Sequence, residues 1–312
     1  MVQFLQVLQI NVNHSQAGHS AALMTAGDLK CDFLCVQDPY VVDGTRLGDA
    51  LGYPMYSSIR FNCVVYCLNS ELNCSLKSNT LNTVSIIVHF ASYNLCLTNL
   101  YFQPKDNIDN LINEISHFGL NNSFDPLVGD FNARSQIWGY GFEDHRGQVI
   151  SNFISSNNFS ICNRKDLGPT FVTDTSQGFP DLTSISTSYQ DYLDSWNVLD
   201  LDSSTNHKYI CVRLAGDFHP SQEFIFKSKY SFKIFLNIFR KDFDYLNSLL
   251  GLASSSEDVD HFYKIFFKCI CDTAFGAFKK KPLRNSKSFH FWNDSLRLKR
   301  NRVTALYLSF QL

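Results

Sequence analysis

The chain has 312 residues, 45% hydrophobic and 14% aromatic, with a formal net charge of −2. That is apolar material for one large core or for a core plus an appendage, as in a globular protein. No run of about eighteen apolar residues exists to span a bilayer. The opening stretch MVQFLQVLQINVN has neither the basic leader nor the small-residue cleavage site of a secretory signal, so intracellular residence is expected, with no membrane partner.

In chain order, FLQVLQINVN reads as a strand ending at Asn11, SAALMTAGDL as a helix, and DFLCVQD as a second buried strand stopping at Asp38 and Pro39. NCVVYCL, TVSIIVHF and NLCLTNLYF follow as three more strands with no helix between them, which predicts a meander. NIDNLINEISHF carries the stripe Ile108, Leu111, Ile112, Ile115 and Phe118 of an amphipathic helix. After DPLVGDFNA comes the helix RGQVISNFISSNN, with Val149, Ile150, Phe153 and Ile154 on one face. FSICN, PTFV, DLTSIS, WNVLD and HKYICVRL complete the strands. Strands outnumber helices and each helix has one apolar stripe, so an α/β sandwich of two packed sheets with outer helices fits better than a doubly wound parallel sheet.

Beyond about residue 216 the texture changes. FKSKYSFKIFLNIFRKDFDYLNSLL and EDVDHFYKIFFKCICDTAFGAF are helical in period and rich in Phe and Lys, separated by GLASSSE, and FHFWNDSLRLKRNRVTALYLSFQL reads as a basic amphipathic helix. The expected division is 1–215 as the main domain and 216–312 as a helical, basic extension. From Lys279 to Arg302 the local charge is +8 in a chain of −2, so the remainder carries −10. Lys279, Lys280, Lys281, Arg297, Lys299 and Arg300 are the candidate nucleic-acid-binding residues of this tail. The ten cysteines fall at irregular spacing. Most sit in apolar runs, where a reduced thiol packs as a small hydrophobe, and neither Cys31/Cys35 nor Cys63/Cys67 has a second pair at ligand spacing, so no zinc site is expected.

Polar residues recur where the apolar runs end: Asn11, Asp38, Tyr101, Asp130 with Asn132, Asp181 and His207. Strand ends are rigid, and side chains there can converge on one edge of a sandwich without placing charge in the core. Asp130 and Asn132 lie two apart, on one side of an extended chain, so the acid could handle a proton and the amide hold an oxygen. Taken singly, each has an ordinary reading: Gly-Asp-Phe-Asn is turn chemistry, Tyr101 is core, His207 is a strand-end surface histidine, and the aromatic helices of 224–278 are core or partner-facing surface. His14, His19 and His145 read as surface or loop residues.

LVGDFNARSQIWG at 127–139 resembles the GDFNA motif of the endonuclease/exonuclease/phosphatase superfamily. The ordered series LQINVNH, FLCVQDPY, NLYFQP, GDFNARSQIWG, PTFV, DLTS and TNHKYI resembles the apurinic-type endonuclease domain of jockey-like non-LTR retrotransposons, over about residues 4 to 214. FWNDSLRLKRNRV in the tail is similar to the linker between that endonuclease and a reverse transcriptase.

The resemblance implies a four-layer α/β sandwich, two mixed β-sheets flanked by helices, that nicks DNA in the nucleus with Mg²⁺ or Mn²⁺, and a tail that contacts DNA or element RNA. By position it implies that Asp38 and Asn11 hold the metal. Tyr101 contacts the scissile phosphate, Asp130 positions or deprotonates the attacking water, and Asn132 orients the phosphate. His207 stabilises charge on the phosphoryl oxygens and is oriented by Asp181. Such hydrolysis needs a hard cation on oxygen ligands, a water aimed in line, and donors where charge develops.

Three positions depart from the family pattern. Its metal-binding Glu is here Asp38, one methylene shorter, and its Ser-Asp-His is Thr205-Asn206-His207, which turns a carboxylate into the amide of Asn206. Pro180 precedes Asp181 and, lacking a ladder N–H, predicts an edge or distorted strand. The departures leave two alternatives to a nuclease: a catalytically impaired nucleic-acid-binding remnant, and a phosphatase of the same superfamily.

Overall fold

The computed structural model describes residues 3–42, 45–46, 52–91, 93–116, 125–216, 218, 224–227 and 231–282. The chain divides into two units, Met1–Ser221 and Gln222–Leu312.

Alternation along single strands builds the layers of the first unit. In Gln3–Asn11, Leu5 and Val7 enter one core while Leu8 and Ile10 enter another, as the two-residue period of a strand requires. Phe33–Gln37 splits the same way, Phe33 and Cys35 to the first core, Leu34 and Val36 to the second. Apolar residues on both faces bury these strands on both sides.

One six-stranded sheet runs in the order Leu193–Val198, Ile210–Gly216, Gln3–Asn11, Phe33–Gln37, Cys63–Cys67, Met55–Ser57. The other runs Phe159–Ile161, Asp181–Ser186, Leu127–Asp130, Asn94–Tyr101, Thr83–His89, Asn73–Asn79. Each is antiparallel except for one central parallel pair, Gln3–Asn11 with Phe33–Gln37 and Leu127–Asp130 with Asn94–Tyr101. The core between the sheets takes Val7, Phe33 and Val65 from one and Ile86, Leu97 and Ile185 from the other. Helix α1 (Gln16–Asp28) covers the first sheet through Ala22, Leu23 and Ala26. Helices α2 (Ile108–Ser116) and α3 (His145–Ser156) cover the second through Leu111, Ile115, Ile150 and Phe153. The result is the expected α/β sandwich of two mixed sheets with helices outside.

Two expectations need correction. NCVVYCL does not share a meander with the runs after it: Cys63–Cys67 belongs to the first sheet, and the meander of the second is opened by Asn73–Asn79, too polar to read as a strand. Nor does Pro180 mark an edge. Asp181–Ser186 lies between Phe159–Ile161 and Leu127–Asp130, and the proline sits one residue outside the ladder, using its carbonyl to accept from the Phe131 N–H at 3.0 Å.

In the second unit, α4 (Phe232–Leu252) packs with α5 (Ser256–Ala277). Ser255 and Asp258 form a reciprocal capping box that fixes where α5 begins. Phe235 stacks on Phe239 and Phe278, and Phe239 meets Phe266 edge-on. Phe224–Lys227 pairs antiparallel with Lys279–Pro282, which contains Lys279, Lys280 and Lys281. Arg297, Lys299, Arg300 and the expected terminal helix lie outside the described residues.

Candidate active site

On every central strand the face between the sheets changes from apolar to polar toward the same end. The sequence runs Leu5, Val7, Gln9, Asn11 on one strand and Phe33, Cys35, Gln37 on the next. Facing them are Leu95, Leu97, Asn99, Tyr101, then Val128 and Asp130, and finally Ile185, Thr183, Asp181. Gln9, Gln37, Asn99 and Thr183 form a fully buried layer beneath the rim. Gln9 Nε2 donates to the Gly129 carbonyl at 3.0 Å, and Gln37 Nε2 to Asn99 Oδ1 at 2.6 Å. Asn99 Nδ2 donates to the Val36 and Val64 carbonyls, so the two sheets are bonded across their interface. Gly129 sits so close to the Leu100 backbone that a Cβ would collide with the Leu100 carbonyl, a physical reason for the glycine in GDFNA.

Above this layer Asp130 is 1% exposed, and each carboxylate oxygen holds a donor: Asn11 Nδ2 at 2.8 Å on Oδ2 and the Asn132 N–H at 3.0 Å on Oδ1. Burial first, then the Asp181 charge, push Asp130 up to about 7 against the pull of His207, Asn11 and the Asn132 amide. His207 Nδ1 lies 3.1 and 3.0 Å from the two oxygens of Asp181, and Phe171 walls the ring edge-on at 4.8 Å. Burial alone would lower His207. The Asp181 charge and hydrogen bond, with Asp130 and Asp38 behind them, overcome it and raise the ring to about 9. One ligand atom from each of Asp130, Asp181 and His207 lies within 4.8 Å of the others.

Tyr101 is half-buried at its strand end, and burial together with Asp38 and Asp130 raises its phenol, so the hydroxyl keeps its proton. Asp38 is 5% exposed, with backbone φ of 48° in the left-handed region. Burial raises its carboxyl, and His14 and His207 pull it back. Asn11, Asp38, Tyr101, Asp130, Asp181 and His207 thus share one electrostatic neighbourhood.

Asn132 arrives differently from the sequence expectation. The chain does not stay extended after Asp130: Asn132 takes φ of 47°, an Asx-type turn in which its backbone rather than its amide serves the acid. Asn206 is exposed, and its carbonyl accepts from the Val172 N–H at 2.8 Å.

Three residues carry contacts the sequence did not signal. His14 is in a loop as expected, but its Nε2 sits 2.9 Å from Asp38 Oδ1. His19, expected at the surface, is fully buried with Nε2 at 3.0 Å from the Tyr66 hydroxyl. Arg146 on α3 donates to five backbone carbonyls: Asn132 at 2.9 Å, Phe131 at 3.2 Å, Phe102 at 3.3 Å, Asp106 at 2.8 Å and Pro104 at 3.5 Å. All five guanidinium N–H groups are engaged, and they join the loop after Tyr101 to the loop after Asp130.

Residues 95–211 match the family model for endonuclease-reverse transcriptase proteins. The fold is similar to the endonuclease domain of TRAS1, a telomere-specific non-LTR retrotransposon, at 24% identity and TM-score 0.60, covering 68% of this chain and 98% of that one. It is also similar to the AP endonuclease LMAP from Leishmania major, at 15% identity and TM-score 0.56, covering 69% and 89%. The first unit has the fold that these two endonuclease structures share. No curated protein sequence matches the chain. The buried carboxylate oxygens of Asp130 and Asp181 are donors of the kind a hard divalent cation takes. No helix among the described residues is long and apolar enough to cross a membrane.

Proposed function

We propose that the chain is a divalent-metal-dependent DNA endonuclease of the non-LTR retrotransposon kind. It would hydrolyse one phosphodiester per nick, leaving a 3′-hydroxyl able to prime reverse transcription. The observation that carries this reading is the convergence of Asp130, Asp181 and His207 with Asn11, Asp38 and Tyr101 at one rim.

Asp38 and Asn11 would hold Mg²⁺ or Mn²⁺, and the Asn11 amide bonds to Asp130 at 2.8 Å. When bound, the ion would supply charge neutralisation at the scissile phosphate. Asp130, raised to about 7, is matched to taking a proton from an attacking water near neutral pH. The water oxygen bonds to phosphorus, the bond from phosphorus to the 3′ oxygen breaks, and that oxygen takes a proton from solvent to leave as a hydroxyl. His207, raised to about 9, stays an imidazolium that donates from Nε2 to a phosphoryl oxygen while Asp181 fixes Nδ1. The Tyr101 hydroxyl donates to the same group, and the Asn132 side chain, free of the bond its backbone makes, orients it. DNA as substrate implies nuclear residence, and the basic tail, with Lys279 at its start, would add contacts to DNA or element RNA. Residues 216–312 would then be the helical linker toward a reverse transcriptase.

Supercoiled plasmid incubated with the chain and Mg²⁺ or Mn²⁺ tests the reading: nicked circles should accumulate and should fail to do so with Asp130→Asn. Salt-sensitive DNA retention without nicking would favour the impaired remnant, which Asp38 and the exposed amide of Asn206 support. Release of inorganic phosphate from monoesters would favour a phosphatase.

A further inference from the structure

Beside the rim lies a cavity of about 200 Å³ that the proposed chemistry leaves unused. Leu81 and Leu111 give it an apolar side, and Arg60, Asn82, Asp106, Asn110 and Glu114 a polar one. Its wall is tied to the reacting groups. The Asn82 carbonyl accepts from the Tyr101 N–H at 3.0 Å, Asn82 Oδ1 accepts from Asn62 Nδ2 at 2.6 Å, and the Asn62 carbonyl accepts from the Asp38 N–H at 2.8 Å. Asp106, on the loop after Tyr101, is near enough for its charge to help raise the Tyr101 phenol.

Most of the lining is already fixed. Glu114 accepts from Thr80 Oγ1 at 2.6 Å, from the Asn82 N–H at 3.2 Å and from Asn82 Nδ2 at 3.0 Å, so its carboxylate is occupied. The Ile59 N–H donates to the Thr80 carbonyl at 2.7 Å and the Arg60 N–H to the Leu81 carbonyl at 3.4 Å, which pins the loop that presents Arg60. Arg146 serves the Asp106 carbonyl, not its carboxylate. Among the described residues the Asp106 carboxylate, the Asn110 side-chain amide and the Arg60 guanidinium have no hydrogen-bond partner.

With two carboxylates against one guanidinium, the lining disfavours a phosphate inside and suits a neutral group that donates. The volume falls below the roughly 300–1,000 Å³ of sites for drug-sized molecules and takes a fragment such as one planar base. A carboxylate accepts from an exocyclic amine, as Asp does from that of cytosine, and a side-chain amide can meet the ring atom beside it. Thymine turns an oxygen to that place and would meet Asp106 acceptor to acceptor. A nucleic acid strand rises about 3.4 Å per nucleotide, so a strand with one phosphate at Tyr101 brings the next nucleotide to this opening. We propose that the cavity is a subsite for one base next to the cut, turned out of the stack and bearing an exocyclic amine. Asp106 accepts from the amine, Asn110 completes the contact, and Arg60 holds the adjoining phosphate. The inference rests on the endonuclease reading and adds to it a determinant of where the strand is cut.

The test uses the full chain and Asp106→Asn, which keeps the shape and removes the acceptor-only face, with circular dichroism to verify folding. Fluorescence anisotropy in EDTA measures binding of single-stranded hexamers of deoxycytidine and of deoxyuridine, whose bases differ in carrying an amine or an oxygen at C4. Wild type should bind the cytidine hexamer about tenfold more tightly, within the discrimination of one good base contact. Asp106→Asn should reduce that ratio to about twofold, and Asn110→Ala should lie between. Equal affinities in wild type, binding of neither hexamer, or a ratio that Asp106→Asn leaves unchanged overturns the subsite. On random-sequence duplex with Mg²⁺ or Mn²⁺, sequenced nick ends should show thymine depleted at one fixed position next to the cut and restored there by Asp106→Asn; nicks without such a position also overturn it. A chain that discriminates the hexamers yet never nicks keeps the subsite and loses the nuclease reading. One that nicks while binding both hexamers equally does the reverse.

Discussion

The two units place the same kinds of residue very differently. In the sandwich, Phe33, Tyr66, Phe102, Phe131 and Trp138 are fully buried, and so are Gln9, Gln37, Asn99, Asp130 and Asp181. In the helical unit, Phe232, Phe243, Tyr263, Phe267 and Phe275 remain exposed, and burial among the described residues falls to Leu246, Thr273, Ala274 and Ala277. Aromatic content by itself therefore does not make an interior that can hold a site. Two sheets facing each other remove water from both sides of a strand, and carboxylates at the edge of that dry layer then shift toward useful proton affinities.

The largest test of this contrast is Asp130→Asn, which should lower plasmid nicking by about 10²–10⁴-fold, the range for a lost general base, with little change in the melting curve. Arg146→Ala comes next. It strips donors from five carbonyls and should cost about 3 kcal/mol, or roughly 6–12 °C in Tm for a domain of this size. Arg146→Lys, without the planar fork, should recover only part of that. Saturating the rim with Mn²⁺ at 100 times its Kd should stabilise the sandwich by about 2.7 kcal/mol, an increment that EDTA abolishes.

A smaller effect is expected from pH. His207 has its folded pKa raised from 6.5 to about 9, so its contribution is complete below 6.5 and is lost as pH rises through 9. Asp130, raised from 3.8 to about 7, loses its share by 7. In EDTA, Tm should therefore drop from pH 7 to 9 in wild type and drop less in His207→Gln; parallel curves would count against the His207–Asp181 pair. Smallest of all, Phe267→Ser on the exposed face of α5 should change stability by no more than about 0.5 kcal/mol and leave nicking intact.

Much of the sandwich could be read from alternation, because apolar residues at both parities of Gln3–Asn11 and Phe33–Gln37 require two buried faces. The rim residues were also readable, since Asn11, Asp130 and Asp181 sit where an apolar face turns polar. What sequence periodicity could not supply was pairing across distance. Gln9 meets Gly129, Gln37 meets Asn99, and Arg146 reaches Phe102, separations that no local pattern encodes. The glutamines did leave a trace, as polar residues sharing parity with Val7 and Cys35 inside otherwise apolar runs. His14 left none, because its contact with Asp38 depends on left-handed backbone in both residues. Asn73–Asn79 escaped because an edge strand of half-buried polar residues lacks an apolar face.

The amide bridges between the sheets have a consequence for how such a domain can change. Leucine and valine faces tolerate small translations, but a slip of two residues would set Gln37 against Leu97 and leave its amide without an acceptor in a dry interior. Only one alignment of the halves is permitted, so the spacing of groups from opposite halves is inherited from the interior. Individual groups along the edge can then be exchanged over generations while the gap between the halves stays the same.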